Sequence, residues 1–249
     1  MIGYVKGNWA VVVVILGMMI PQAQAGSQSW PVYDALLQTY VKVGHVERGL
    51  SLNWVDYQGL KSDPRWERVV IKLQETPVES LQTKADKLAF YINAYNILAI
   101  KMVIDNWPVK SIKDVGSWLW PVWKHNAGIV HGKLMTLDEL EHKILRKLAE
   151  PRIHFAIVCA SRSCPDLRPT AYSAESLDQQ LDEQTRLFLA NSVKGLYRSG
   201  NTVHVSQIFH WFKSDFVDLP NFLRHHTPKA WPSGKIQADI PYDWALNGH

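Results

Sequence analysis

Residues 83–105 constrain the fold more than any other part of this 249-residue chain, because they read as one long helix. Thr83 followed by Asp86 is a capping pattern, in which each side chain satisfies the other's backbone N–H. From Leu88 on the segment is largely apolar, and Asn106-Trp107-Pro108 stops it. Two residues break its pattern. Asn93 and Asn96 stand three apart and so face the same way. Asn is a poor helix-interior residue, and an unpartnered amide in apolar surroundings costs on the order of 1–3 kcal/mol. The pair therefore either bonds a neighbouring backbone turn and fixes the fold, or positions a ligand or a catalytic group.

Around this helix the chain reads as α+β: a helix-rich single domain with a small, mostly antiparallel sheet. Helical spacing of Tyr33, Leu36, Leu37, Tyr40 and Val41 predicts an amphipathic helix over 31–43. Residues 53–57 read as extended. Asp63-Pro64-Arg65 opens a helix to about Gln74, with Asp63 as its cap. Residues 118–125 form a Trp/Pro-rich connection, and 129–135 suggest a hairpin around His131-Gly132. Thr136-Leu137-Asp138-Glu139 is a capping box that opens a helix to about Ala149. Further on, a helix is expected over 176–191, opened by Ser173 or Ser176, then a turn at Gly200-Asn201. A strand over 202–205 and a short helix over 207–212 follow. Residues 217–249 read as an irregular tail.

Glu141 is the second anomaly. At 100° per residue it falls inside the stripe formed by Leu137, Leu140, Ile144, Leu145 and Leu148, whereas His142 falls off it. A carboxylate facing the core must be paired, hydrogen-bonded or protonated. It is the best candidate carboxylate in the chain.

The only two cysteines lie in His154-Phe155-Ala156-Ile157-Val158-Cys159-Ala160-Ser161-Arg162-Ser163-Cys164-Pro165. The apolar run 155–158 predicts a strand that delivers Cys159 to a polar loop. Strand alternation would put Ile153, Phe155, Ile157 and Cys159 on one face and His154 on the other. His154 would then be a poor base for Cys159, leaving His125, His131 or His210 to reach it. The spacing matches neither a CxxC redox site nor a zinc site, so no metal or cofactor is expected. Two thiols this close pair in an oxidising compartment if their Cα atoms approach to ~6 Å.

The compartment is itself an expectation. Lys6, the apolar run 9–20 and Ala23-Gln24-Ala25 have the form of a secretory signal peptide over 1–25, cleaved after Ala25. The run is shorter than the ~20 residues a membrane span needs, so no stable anchor is expected after cleavage. Residues 26–249 would then form one periplasmic or secreted domain. A formal net charge of +4 is too mild and dispersed for a nucleic-acid partner. Eleven tryptophans in 249 residues is high; aromatics are often core, and a surplus also suits a groove for a small molecule, peptide or glycan.

Four motifs in order resemble a known family, the domain of unknown function 547. They are Leu88-Ala89-Phe90-Tyr91-Ile92-Asn93-Ala94-Tyr95-Asn96, Leu137-Asp138-Glu139-Leu140-Glu141-His142-Lys143-Ile144-Leu145-Arg146, the cysteine segment 154–165, and Ile208-Phe209-His210-Trp211-Phe212-Lys213-Ser214-Asp215-Phe216. The resemblance covers about 30–216, with Tyr91 where the pattern more often has Trp. It implies an exported or multidomain setting, and it implies that both Asn, the Glu141-His142 pair and the Cys-Ser-Cys loop are shared features of the family. It implies no activity. The leading expectation from the residues is a thiol hydrolase of amide, ester or peptide bonds. Cys159 would be the nucleophile, a His the base, Asn93 or Asn96 an orienting or oxyanion group, and Glu141 an alternative orienter of the base. Ser161, Ser163, Cys164, His154 and His142 are candidate binding residues. The rival is a non-catalytic module in which Cys159 and Cys164 form a disulfide; a thiol–disulfide exchanger is a weaker third.

Overall fold

The computed structural model describes residues 3, 29–47, 49–227 and 234–249. The expected leader and its cleavage point lie outside the described residues, save Gly3. The elements are α1 (Pro31–Tyr40), a hairpin of β1 (Val41–Glu47) and β2 (Leu50–Val55), α2 (Tyr57–Ser62), α3 (Arg65–Glu75) and α4 (Lys84–Asp105). A hairpin of β3 (Asn126–Val130) and β4 (Lys133–Thr136) follows, then α5 (Leu177–Ala190). Last come β5 (Leu196–Ser199), β6 (Thr202–Ser206), α6 (Ile208–Trp211), α7 (Leu219–His226) and β7 (Lys235–Ile240).

The long helix is the axis of the molecule. Thr83 and Asp86 form the expected capping box, with Asp86 N–H donating to Thr83 Oγ1 at 3.0 Å and Thr83 N–H to Asp86 Oδ2 at 2.9 Å. By length and composition α4 could cross a membrane, yet 89 % of its apolar window is buried within the protein, so it is a core helix. The hairpin β3–β4 turns at His131 (φ 50°) and Gly132 (φ 71°), the two positive φ values that match the right-handed twist of its strands.

The fold is α+β, as expected, with the strands divided among three small sheets. All pairs are antiparallel except β6–β7, which is parallel. Two apolar clusters form. The larger surrounds α4; the smaller gathers Phe155, Phe188, Phe209 and Phe216 with Leu223, between α5, β6 and α7.

Three expectations are corrected. The run 155–158 is not a strand: Pro151–Phe155 winds as a 3₁₀ helix and the chain then continues as loop. Pro151 presets its first turn and Glu150 caps it, accepting from Arg152 N–H at 3.1 Å. A short apolar run reads alike for a buried strand and a buried turn, so the alternation argument that separated His154 from Cys159 fails. Residues 139–145 form a π-helix rather than an α-helix, with Arg146 N–H bonded to Glu141 O. The region 217–249 is no irregular tail, since it holds α7 and β7 and then returns along the cysteine loop. There Arg162 N–H bonds Ala245 O (2.9 Å), Asn247 N–H bonds Ala160 O (3.0 Å) and Tyr57 N–H bonds His249 O (2.7 Å).

Candidate acid–base pocket

Where the two apolar clusters meet, Tyr95 and Ile157 from one and Ile208 from the other wall a pocket of about 390 Å³. Glu141, His142, His154, Cys159 and Cys164 line it, so five of the nine expected site residues converge. The other four support it from behind or lie apart.

Asn96 is a clamp. Its Nδ2 donates to Ala156 O at 3.0 Å and its Oδ1 accepts from Val158 N–H at 2.8 Å. It thus holds the strandless segment that enters the cysteine loop. Asn93 does the same for Tyr172, with bonds of 2.8 Å to its O and 2.9 Å from its N–H. Both amides are spent on buried backbone and neither lines the pocket, so neither is an oxyanion donor here. Ser163 Oγ accepts from Asp243 N–H at 2.8 Å, and Ser161 Oγ lies 3.2 Å from both Cys159 Sγ and Tyr242 Oη. The two serines brace the loop and do not face the cavity.

The sulfurs of Cys159 and Cys164 lie at bonding distance, with Cα atoms 6.1 Å apart. Between Cys159 and Ser161, Ala160 takes a left-handed conformation (φ 59°), which costs a residue with a Cβ about 1 kcal/mol or more. The Asn247 bond to its carbonyl holds it there.

Against the pocket wall lies a part-buried charge system. Arg146 grips Asp215 with two bonds, Nε to Oδ2 at 2.6 Å and Nη2 to Oδ1 at 2.7 Å. His154 Nε2 lies 2.8 Å from the same Asp215 Oδ2. A carboxylate only accepts, so Nε2 carries the proton and Nδ1 is left with a lone pair. That Nδ1 is buried, has no hydrogen-bond partner, and lies 3.9 Å from Glu141 Oε1.

The electrostatics follow from this layout. Burial pushes the Glu141 carboxyl up to about 7, with Asp138 and Asp215 adding to the rise and Arg146 opposing it. Burial also brings His154 down to about 4, against the pull of Asp215, so its ring is neutral. Arg146's hydrogen bonds hold Asp215 well below the usual carboxylate range. Glu141 is 13 % exposed, and no hydrogen bond to its carboxyl is present among the described residues. With its pKa near 7 and no donor bonded to it, the carboxyl is partly protonated near neutral pH. His142 lies nearer the solvent, with Nδ1 3.0 Å from Arg146 Nη1.

Sequence reading offered a tryptophan groove without naming its residues, and it missed Arg146, Asp215 and Tyr95. Trp211 and Tyr242 have ring centroids 4.8 Å apart, Tyr242 and Trp244 4.5 Å, and Trp123 and Trp244 6.1 Å. Phe212 stacks on His154 at 4.0 Å. Burial raises both Tyr95 and Tyr242 well above the usual phenol range, so both keep their O–H. His125, His131 and His210, the expected bases, do not line this pocket; His131, for example, stacks on Phe90 at 4.7 Å. The surplus of tryptophans was the available signal for the rim, and the motif ending in Ser214-Asp215-Phe216 was the only one for the aspartate.

A family model described as "Protein of unknown function, DUF547" matches residues 78–189. The matched segment holds both Asn, Glu141, His142, His154 and the cysteine loop, and it stops before Asp215 and the aromatic residues of the C-terminal return. No curated protein and no solved structure matches the chain.

Proposed function

For a chain whose residues 78–189 belong to the DUF547 family, we propose an exported hydrolase of amide, ester or peptide bonds that works through Glu141 rather than Cys159. One observation carries the reading: a carboxyl held near pKa 7 faces an aromatic pocket with a neutral His154, fixed by Asp215, directly behind it. Near neutral pH such a group both takes and returns a proton. Glu141 removes a proton from water while the water oxygen bonds to the substrate's carbonyl carbon. As the C–O or C–N bond breaks, the same carboxyl returns that proton to the leaving oxygen or nitrogen. Tyr95 and Tyr242 keep their O–H and supply donors for the developing oxyanion. The rim of Trp123, Trp211 and Trp244 suits a peptide or glycan that presents flat faces. The sulfur pairing removes Cys159 as a nucleophile and makes the loop a rigid wall. The signal-peptide-like sequence of residues 1–25 is what suggests export.

A second reading, a non-catalytic periplasmic binding module with a Cys159–Cys164 disulfide, is favoured by the two Asn clamps and the paired sulfurs. The test is turnover of a panel of p-nitrophenyl esters and aminoacyl p-nitroanilides by the protein recovered from the periplasm. Glu141→Gln is expected to lower the rate by ~100-fold or more, the scale of a lost general base. The Cys159→Ser/Cys164→Ser double variant should keep it within a few-fold. Equal rates for Glu141→Gln would overturn the acid–base assignment. No turnover of any panel member, with a tryptophan fluorescence response to them, would leave the binding module.

A further inference from the structure

On the far side of the smaller apolar cluster, α5 and the C-terminal end of α7 bring together Asp182, His225 and His226. Their ligand atoms all lie within 4.8 Å of one another. We propose that these three side chains bind a divalent transition-metal ion, with zinc as the ion their N/N/O donor set suits best.

His226 is held by its own helix. Its ring is nearly buried, and Nδ1 lies 2.8 Å from Phe222 O. A backbone carbonyl can only accept, so the Nδ1 atom donates and the neutral ring presents a lone pair at Nε2. That nitrogen lies 3.2 Å from a second acceptor, Asp182 Oδ1, with no hydrogen bond between them. Two acceptors lie close together with nothing in this tautomer to join them, and a cation held by both removes the conflict. The spacing is also right: zinc–ligand bonds of ~2.0–2.2 Å in a tetrahedron set its ligands about 3.3–3.5 Å apart.

The surroundings match those of metal-binding histidines and carboxylates. Such a histidine donates its other nitrogen to a backbone carbonyl, as His226 does to Phe222. The other oxygen of Asp182 is fixed by Arg186 Nε at 2.8 Å. His225, exposed and adjacent, supplies the third donor, with a ligand atom within 4.8 Å of the other two. The cation would also sit at the C-terminal end of α7, where the helix dipole favours positive charge. Three protein donors leave one position open. His225 and His226 border a cavity of about 650 Å³, which gives that position room for water or an anion. The cavity is a different one from the pocket of Glu141, although Asp215 and Arg146 form part of its wall.

The experiment uses the untagged, EDTA-treated full chain titrated with zinc by calorimetry, with thermal melts alongside. One ion per chain should bind, and an excess of zinc should raise Tm by several degrees, since a ligand that binds only the folded state stabilises it. His225→Ala, at an exposed position, and Asp182→Asn should each weaken binding by about 100-fold or more while the metal-free Tm of His225→Ala stays at the wild-type value. Glu141→Gln should bind zinc like the wild type, so the two sites can fail separately. Cobalt loaded in place of zinc should give the absorption bands of a four-coordinate ion. Absence of a saturable zinc heat, or affinity unchanged in both His225→Ala and Asp182→Asn, would overturn the site and leave His226 and Asp182 as an ordinary ion pair.

Discussion

His154 donates from Nε2 to Asp215 Oδ2 at 2.8 Å, and this one bond decides which ring nitrogen faces the pocket carboxyl. Asp215 is itself fixed by the two-pronged grip of Arg146. The orientation of a buried histidine thus depends on a residue that lies outside the segment matching the family.

Asp215→Asn should test that dependence. An Asn amide that turned its NH₂ toward His154 would move the ring proton to Nδ1, next to Glu141. It would also leave Arg146 without its counter-charge. Stability is expected to fall by roughly 2–4 kcal/mol, at or below the range for breaking a buried pair because both groups keep some solvent contact. ¹⁵N spectra of the imidazole should show an Nε2–H ring in the wild type and a changed tautomer in the variant.

The pH dependence follows from the carboxyl. Glu141 has a folded pKa of about 7, above its ordinary 4.5, so between these values the folded state holds a proton that the unfolded state has lost. Its contribution to stability is complete below pH 4.5 and is lost as pH rises through about 7. His154 acts oppositely: its folded pKa of about 4 against 6.5 makes its contribution present above pH 6.5 and lost as pH falls through about 4. Glu141→Gln should therefore gain on the wild type as pH rises from 4.5 to 7, by roughly 1–3 kcal/mol above pH 7. Urea unfolding at several pH values measures the difference, and a flat difference would refute the shifted carboxyl.

Asn96→Ala should be among the costlier substitutions in α4. It strips partners from two buried backbone groups, Ala156 O and Val158 N–H, for a loss of about 2–4 kcal/mol. Asn96→Asp should be worse, because a carboxylate cannot donate to Ala156 O. Asn93→Ala should cost a similar amount through Tyr172 but leave the cysteine loop in place. Chemical denaturation, with hydrogen exchange of Val158 N–H, separates the two.

Protein purified without reductant should show no thiol to Ellman's reagent, since Cys159 and Cys164 are joined. The loop they close is short, with a sequence separation of 5, so the chain-entropy model gives only about 2 kcal/mol lost on reduction. A reactive thiol in the native protein would return Cys159 to the role of nucleophile.

Features that depend on local chemistry were legible in the sequence. The Thr83/Asp86 cap, the extent of α4, the turn at His131-Gly132 and the reciprocal Thr136/Glu139 bonds all rest on residues within four positions of each other. The two Asn and Glu141 were legible as anomalies, because a polar group in an apolar pattern must be answered somewhere. What answers them is tertiary. The partners of Asn93 and Asn96 lie 79 and 60–62 residues away, and Asp215 lies 61 from His154. The apolar run 155–158 looked like a strand because period and composition cannot separate buried extended chain from a buried turn. The tail looked irregular because its order comes from pairing β7 with β6 and from bonds to the cysteine loop. Local propensity determines where a helix begins and which residues are out of place. Only packing of distant segments decides which buried groups meet, and with them the charge state of Glu141 and His154.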